Sequence, residues 1–194
     1  TMGEPQVLER GVQIKYQTSD SKNIPANLPG QYPCGVIAAN VAREFGCRGA
    51  SIMIPTACAA GNYALGYAFD LVSLGKADVV IAGGSDPLSK IAFTGFNRLL
   101  ATAEKLVRPF DKNRDGMAVG EGAGVLIIED FEHARRRNAP IYAEILGYGL
   151  GCDAHKMTIP DPEGSGGILA LKRDLHNADC APEKVDYISA HGTG

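Results

Sequence analysis

The cysteine at position 58 is the residue of this sequence best suited to nucleophilic chemistry. It lies in the stretch IPTACAAG, where an apolar run gives way to small residues, so we expect Cys58 at the start of a helix. Backbone N–H groups and the helix dipole at such a position favour a thiolate, and they also point toward a developing oxyanion, as acyl transfer requires. The same pattern suits a small side chain packed at the helix start, and the local sequence leaves both interpretations open.

A histidine near the end of the chain, His191, is the second candidate for chemistry. It follows the predicted strand VDYISA and precedes the glycines of HGTG, which permit close approach of the backbone to a ligand. The carboxyl ends of strands are where α/β folds bind their ligands. Taken alone, a histidine in this position is equally consistent with a structural role.

An alternation of short apolar runs and helical patterns must position these two residues. The runs Ala77–Ala82 and Gly124–Ile128 are near-continuously apolar, which is typical of strands whose sheet is covered by helices on both faces. We therefore expect an α/β fold. The predicted strands cover residues 50–55, 77–82, 124–128, 141–150 and 185–190, and the predicted helices cover residues 34–46, 58–74, 89–100, 129–139 and 167–178.

Two further stretches bear on the organisation of the chain. Residues 1–30 are polar and rich in turn formers, so we expect a loop with one short helix there. A Gly- and Pro-rich passage around Pro160 is typical of a boundary or an active-site loop. We place a division there, with one part over residues 1–160 that carries Cys58 and a second over residues 161–194 that contains His191.

The composition argues against several classes of function. The 19 basic and 22 acidic residues give a net charge of −3 without a basic block, which disfavours binding to nucleic acid or a membrane surface. The five cysteines include no C-x-x-C pair, and no His, Cys and carboxylate cluster has metal-site spacing, so we expect neither a disulfide framework nor a metal. The same cysteine usage favours a reducing cytoplasm. No signal-peptide pattern and no apolar run near the roughly 20 residues of a membrane helix is present, which favours a soluble protein.

Four motifs occur in an order and at separations that resemble a known family. They are TACAAG, ADVVIAGGSD, RPFDKNRDGMAVGEGAGVLIIEDFEHARRRNAPIYAEILGYG and VDYISAHGTG. From about Gln31 onward the chain resembles a beta-ketoacyl-ACP synthase of the elongating branch. The resemblance implies a thiolase-like fold of alternating α and β layers (αβαβα), of which this chain would hold the later part of the N-terminal half and the start of the C-terminal half.

The resemblance also implies a reaction and roles for four residues. Cys58 would take an acyl chain as a thioester, and its backbone N–H would contribute to the oxyanion hole. His191 would bind the malonyl thioester and stabilise the enolate left by decarboxylation, which then attacks the acyl group in a Claisen condensation. Thr193 would hydrogen-bond the phosphopantetheine arm, and Phe96 would line the acyl pocket, although an aromatic residue with no substrate role has the same local pattern. The implied partner is an acyl carrier protein bearing acyl and malonyl groups, with no cofactor, and the full-length protein would be a homodimer or a heterodimer with a related subunit.

Several alternatives and departures accompany this interpretation. The family's second catalytic histidine, a lysine and a glycine-rich loop would lie beyond Gly194, so we expect the 194 residues alone to be inactive. A non-catalytic partner subunit of the chain-length-factor type normally lacks the nucleophile, and a thiolase differs around the cysteine and histidine motifs. A cysteine hydrolase is disfavoured because Thr56 and Ala60 stand where its nucleophile elbow needs glycines. The resemblance gives Glu121 a structural role only.

Overall fold

The helices and strands of the chain follow the predicted order over most of its length. The computed structural model describes residues 3–157 and 159–194. Each of the five predicted helices is confirmed, with ends within a few residues of those expected. The helices are α1 (Gly3–Thr18), α2 (Gly35–Glu44), α3 (Ala60–Ser73), α4 (Lys90–Arg98), α5 (Phe131–Arg136) and α6 (Ser165–Asn177), and the strands are β1 (Val79–Asp86) and β2 (Gly122–Glu129).

The first helix, α1, corrects the expectation of a loop with one short helix over residues 1–30. It runs for 16 residues, and its sequence GEPQVLERGVQIKYQT is rich in Gln, Glu, Arg and Lys. These polar residues are good helix formers, so a polar stretch need not be a loop. A contact with a residue distant in the sequence also holds α1: Gln6 Nε2 donates to the carbonyl oxygen of Leu88 over 3.1 Å.

The strands β1 and β2 pair with each other, which confirms the two strands predicted at residues 77–82 and 124–128. Just outside one end of the pair, the Asp130 N–H donates to the Asp78 carbonyl over 3.1 Å. Further along β1, Gly83 lies so close to β2 that a Cβ atom there would be 2.7 Å from Val125 Cα. The residue number rises from Asp78 to Gly83 while that of the neighbouring residue falls from Asp130 to Val125. The two strands are therefore antiparallel.

The apolar side chains of β2 are not covered on both faces by the described residues, contrary to the expectation for this strand. Val125, Leu126 and Ile127 are exposed to 58%, 52% and 57%. Successive residues of a strand point to opposite faces, so both faces of β2 are open at these positions.

Three predicted strands, at residues 50–55, 141–150 and 185–190, are wrong for the part of the chain that the structure describes. None of them forms a ladder there. Segment 147–151 packs on α6 instead: a Cβ atom at Gly147 would lie 2.8 Å from Ala178 N, and one at Gly149 would lie 2.6 Å from Asp174 N. A ladder needs a partner strand, which an apolar run does not itself encode.

The chain divides into two compact units that interleave along the sequence. One comprises Thr1–Ala64, Ala82–Leu126 and His191–Gly194, and the other comprises Leu65–Ile81 and Ile127–Ala190. The four predicted site residues all belong to the first unit. No helix in the described part of the chain is both long and apolar enough to cross a membrane.

Candidate active site

A tight turn presents Cys58 directly before α3. Residues Ala57–Ala59 form a single turn of 3-10 helix, in which the Ala59 N–H donates to the Thr56 carbonyl over 3.2 Å. Ala57 has a φ of +50°, a left-handed conformation that costs energy for a residue with a Cβ. Cys58 is exposed and has no disulfide partner, and its role as a nucleophile stays a prediction.

The start of α3 lies next to the end of β1. A Cβ atom at Gly84 would be 3.8 Å from the Cα of Gly61, three residues after Cys58. This backbone-to-backbone approach brings the end of β1 to the first turn of α3. The cysteine therefore sits where a strand end and a helix start meet, as a site that presents backbone N–H groups requires.

The later turns of α3 are fixed by Tyr148. Its hydroxyl donates to Asp70 Oδ2 over 2.5 Å, and its ring meets the Phe69 ring edge-on with 6.2 Å between centroids. The pKa of Tyr148 is raised, first by its hydrogen bond to the Asp70 carboxylate and then by burial. The ring also covers Gly66, where a Cβ atom would lie 2.7 Å from Tyr148 Cδ2.

The segment that carries His191 and Thr193 packs on the loop around Arg108 and Gly116. A Cβ atom at Gly194 would lie 2.7 Å from the Gly116 carbonyl oxygen and 3.5 Å from the Arg108 N. His191 and Thr193 are both exposed. Their side chains are thus free to meet a ligand while the adjacent glycine holds the segment in place.

The loop beneath that segment is closed by backbone and side-chain contacts. The Ala103 N–H donates to the Met117 carbonyl, and the Met117 N–H donates to the Ala101 carbonyl, each over 2.9 Å. Within the loop, Arg108 Nη2 and Asp115 Oδ1 form an ion pair at 3.3 Å. This ion pair therefore helps to hold the loop.

The predicted pocket residue Phe96 lies on α4 and is half-buried. Two carboxylates hold the start of this helix. Glu9 Oε1 accepts from the Ser89 hydroxyl, and Glu121 Oε2 accepts from the Leu88 N–H over 3.2 Å. Glu121 has the structural contact that the resemblance implies, whereas Glu9 was missed, because no local pattern links residues 80 positions apart.

The structure places Cys58, Phe96, His191 and Thr193 in one unit but does not join them by direct bonds. Within residues 3–157 and 159–194, no hydrogen bond or ion pair links Cys58 to His191 or Thr193. No group of three metal-ligating side chains occurs in that part of the chain either. The site consists of an exposed thiol at a helix start and an exposed histidine on a Gly-rich turn.

Comparison with known protein families identifies the family to which this chain belongs. The family described as beta-ketoacyl synthase, N-terminal domain, matches residues 9–134, and the one described as beta-ketoacyl synthase, C-terminal domain, matches residues 142–194. The chain belongs to the beta-ketoacyl synthase family. The two matches contain all four predicted site residues, while the division predicted near Pro160 stays a prediction.

Relatives of this ketosynthase chain include the 3-oxoacyl-[acyl-carrier-protein] synthase 2 of Vibrio cholerae. The two are 37% identical over 199 residues, which cover 99% of this chain and 48% of the relative. The chain thus spans about half the length of the curated relatives it matches.

Solved structures of ketosynthases share the fold. The ishigamide ketosynthase/chain length factor superposes with a TM-score of 0.91 at 38% identity, over 97% of this chain and 46% of the other. A type II polyketide synthase ketosynthase bound to a hexaketide and solved with its acyl carrier protein gives a TM-score of 0.88 at 33% identity, over 96% and 49%. The chain therefore has part of the thiolase-like ketosynthase fold, which confirms the predicted α/β class.

Proposed function

We propose that this chain is part of an elongating beta-ketoacyl-ACP synthase, and that Cys58 is its nucleophile. The observation that carries the proposal is the exposed Cys58 on a strained turn at the start of α3, within the region matched by the family. A nucleophile must be accessible, and a helix start supplies backbone N–H groups to stabilise negative charge. Both conditions hold at this residue.

The reaction we propose has two bond-forming steps. The Cys58 thiolate attacks the carbonyl of an acyl thioester on a carrier protein, so that an S-acyl bond forms on Cys58, the acyl–carrier bond breaks and the carrier leaves as a thiolate. A malonyl thioester then loses carbon dioxide, and the resulting enolate carbon attacks the acyl carbonyl. The new carbon–carbon bond forms as the Cys58–acyl bond breaks, and the thiolate is restored. The backbone N–H of Cys58 stabilises the oxyanion in both steps.

The remaining site residues bind and polarise the malonyl substrate. In this proposal His191 hydrogen-bonds the thioester carbonyl, so that the negative charge of the enolate develops beside a donor. Thr193 hydrogen-bonds the phosphopantetheine arm, and Phe96 lines the acyl pocket. The exposure of His191 and Thr193 on a fixed Gly-rich turn supports their access to substrate. No metal or cofactor is needed for these steps.

The partners we propose are an acyl carrier protein and a second ketosynthase subunit. A carrier protein is bound by the similar polyketide ketosynthase, and a chain length factor accompanies the ishigamide enzyme. The full-length protein would pair with a copy of itself or with a related subunit. A cytoplasmic location stays a prediction.

An elongation assay on the full-length protein that contains these residues tests the proposal. With acyl- and malonyl-carrier substrates we expect a product two carbons longer, and Cys58→Ala should abolish it. Cys47, which is also exposed, provides the matched control, and Cys47→Ser should keep full activity. Retained elongation in Cys58→Ala would refute the assignment.

A second function, that of a non-catalytic chain-length-factor subunit, is favoured by one observation. The ishigamide structure with a TM-score of 0.91 contains a chain length factor. The presence of Cys58 opposes this function, because such subunits normally lack the nucleophile. Iodoacetamide should label Cys58 of the full-length protein faster than Cys47, and equal or slower labelling would support the non-catalytic subunit.

A further inference from the structure

The first turn of α4 is held by a residue of α1, far away in the sequence. Glu9 Oε1 accepts from the Ser89 hydroxyl over 2.7 Å and from the Ile91 N–H over the same distance. Ser89 is the N-cap residue of α4 and is only 1% exposed. A single carboxylate oxygen therefore binds both the cap and the first turn of the helix.

The N-cap hydroxyl of Ser89 is fully used in this arrangement. It donates its proton to Glu9, and it accepts from the Ala92 N–H over 3.3 Å. The first four N–H groups of a helix have no partner within the helix, and here two of them, at Ile91 and Ala92, are satisfied by this small network. The negative carboxylate also lies where the helix dipole favours it, and these hydrogen bonds lower the pKa of Glu9.

The N-cap residue that Glu9 holds, Ser89, lies seven residues before Phe96. An α-helix has about 3.6 residues per turn, so less than two turns separate this N-cap from Phe96. A shift or fraying of the first turn would therefore move Phe96 as well. Phe96 is half-buried on this same helix. A change at the contact between Glu9 and Ser89 would therefore reach Phe96 along one short helix.

We infer that Glu9 is a positioning residue that sets the acyl-chain preference of the synthase by fixing α4 and Phe96. This inference rests on the proposed function, because it takes Phe96 as a wall of the acyl pocket. While Glu9 keeps its hydrogen bonds to Ser89 and Ile91, Phe96 stays in place and limits the length of acyl chain that fits. When these hydrogen bonds are lost, Phe96 is displaced more easily, and longer acyl chains are elongated more efficiently relative to shorter ones.

The test compares elongation of a hexanoyl and a tetradecanoyl carrier protein by the full-length protein. Glu9→Ala should raise the ratio of kcat/KM for the longer over the shorter substrate by about fivefold, the size expected for the loss of one helix cap. Ser89→Ala removes the same contact from the other side and should shift the ratio in the same direction. Glu9→Gln, which keeps an acceptor oxygen, should restore most of the original ratio.

A matched control on α1 is Gln13→Ala, since Gln13 is exposed and should leave the ratio unchanged. An unchanged ratio in Glu9→Ala, or an equal fall for both substrates, would overturn the inference while leaving the proposed function intact. If Glu9→Ala does not fold, an unchanged ratio in Ser89→Ala overturns it equally. Failure of the unmutated protein to elongate either substrate would instead overturn the proposed function.

Discussion

The hydroxyl of Tyr148 donates to Asp70 Oδ2 over 2.5 Å, so a residue of the segment after α5 is bonded to the helix that begins beside Cys58. The Tyr148 ring also meets Phe69 edge-on and covers Gly66 on the same helix. A charge-assisted hydrogen bond in a partly buried place is stronger than one between neutral groups. Tyr148 therefore fixes the later turns of α3.

Removing that hydroxyl should destabilise the chain. We expect Tyr148→Phe to lower the free energy of unfolding by about 1.5 kcal/mol, because a hydrogen bond to a charged acceptor is lost. Urea denaturation of the 194-residue chain measures it. Tyr187→Phe is the matched control, since Tyr187 is 82% exposed, and it should change little. Equal effects of the two substitutions would show that the Asp70 bond contributes nothing.

A close contact between backbones predicts opposite effects at two glycines of the α6 region. Gly149→Ala should be strongly destabilising, because the new Cβ atom would lie 2.6 Å from the Asp174 N. Gly167 lies within α6 with nothing near its Cβ position, so Gly167→Ala should stabilise by up to about 1 kcal/mol through helix propensity. Thermal unfolding of both variants compares them. A tolerated Gly149→Ala would contradict the observed packing of segment 147–151.

The carboxylate at the end of β2 predicts a loss of stability in acid. Glu129 is only 8% exposed, and its oxygens accept from Arg137 Nε and Nη2 over 2.7 and 2.6 Å, while His133 Nδ1 lies 2.5 Å away. The hydrogen bonds from Arg137, and then from His133, lower the pKa of Glu129 from 4.5 to about 2. Because the pKa is lower in the folded state, its stabilisation is complete above pH 4.5 and is lost as the pH falls toward 2.

Urea denaturation at a series of pH values between 7 and 2 measures this effect of Glu129. Glu129→Gln should flatten the fall in the free energy of unfolding between pH 4.5 and 2. Glu132 offers a matched control, because its ion pair with Arg135 is 60% exposed on both sides and exposed pairs contribute little. If Glu132→Gln flattens the profile as much as Glu129→Gln does, the assignment to Glu129 is wrong.

Local sequence patterns were sufficient to predict most of the helices and the two paired strands. The change from apolar to small residues at Cys58 and the helical spacing after it were enough to predict the start of α3, and the strands β1 and β2 were found from their apolar runs. The strand predicted at residues 141–150 was wrong, because an apolar run does not encode a ladder partner. In the structure the carbonyls of Tyr148 and Leu150 accept from Asn177 Nδ2 and Arg173 Nη1 on α6.

The candidate site shows the same limit. Cys58 and His191 could be proposed from their neighbours in sequence, but Glu9 could not, since it acts on a helix 80 residues away. The polar sequence of α1 carries no sign of which residue it will meet. Tertiary contacts of this kind stabilise the start of α4, and only the structure shows them.

The chain covers only part of the length of its relatives, which leads to a prediction about the 194 residues alone. They span 48% of the Vibrio cholerae relative, and the resemblance places a second histidine, a lysine and a glycine-rich loop outside them. We expect no elongation product from the 194-residue polypeptide with acyl- and malonyl-carrier substrates, as followed by mass spectrometry of the carrier protein. A measurable product would show that the residues within this chain suffice for condensation.

The acyl transfer to Cys58 tests the central claim most directly. The full-length protein is incubated with an acyl carrier thioester in the absence of malonyl substrate, digested and mapped by mass spectrometry. Our account predicts one acyl adduct, on the peptide that contains Cys58, and none in Cys58→Ala, with Cys34, Cys47, Cys152 and Cys180 unmodified. An adduct on another cysteine, or acylation that persists in Cys58→Ala, would contradict it.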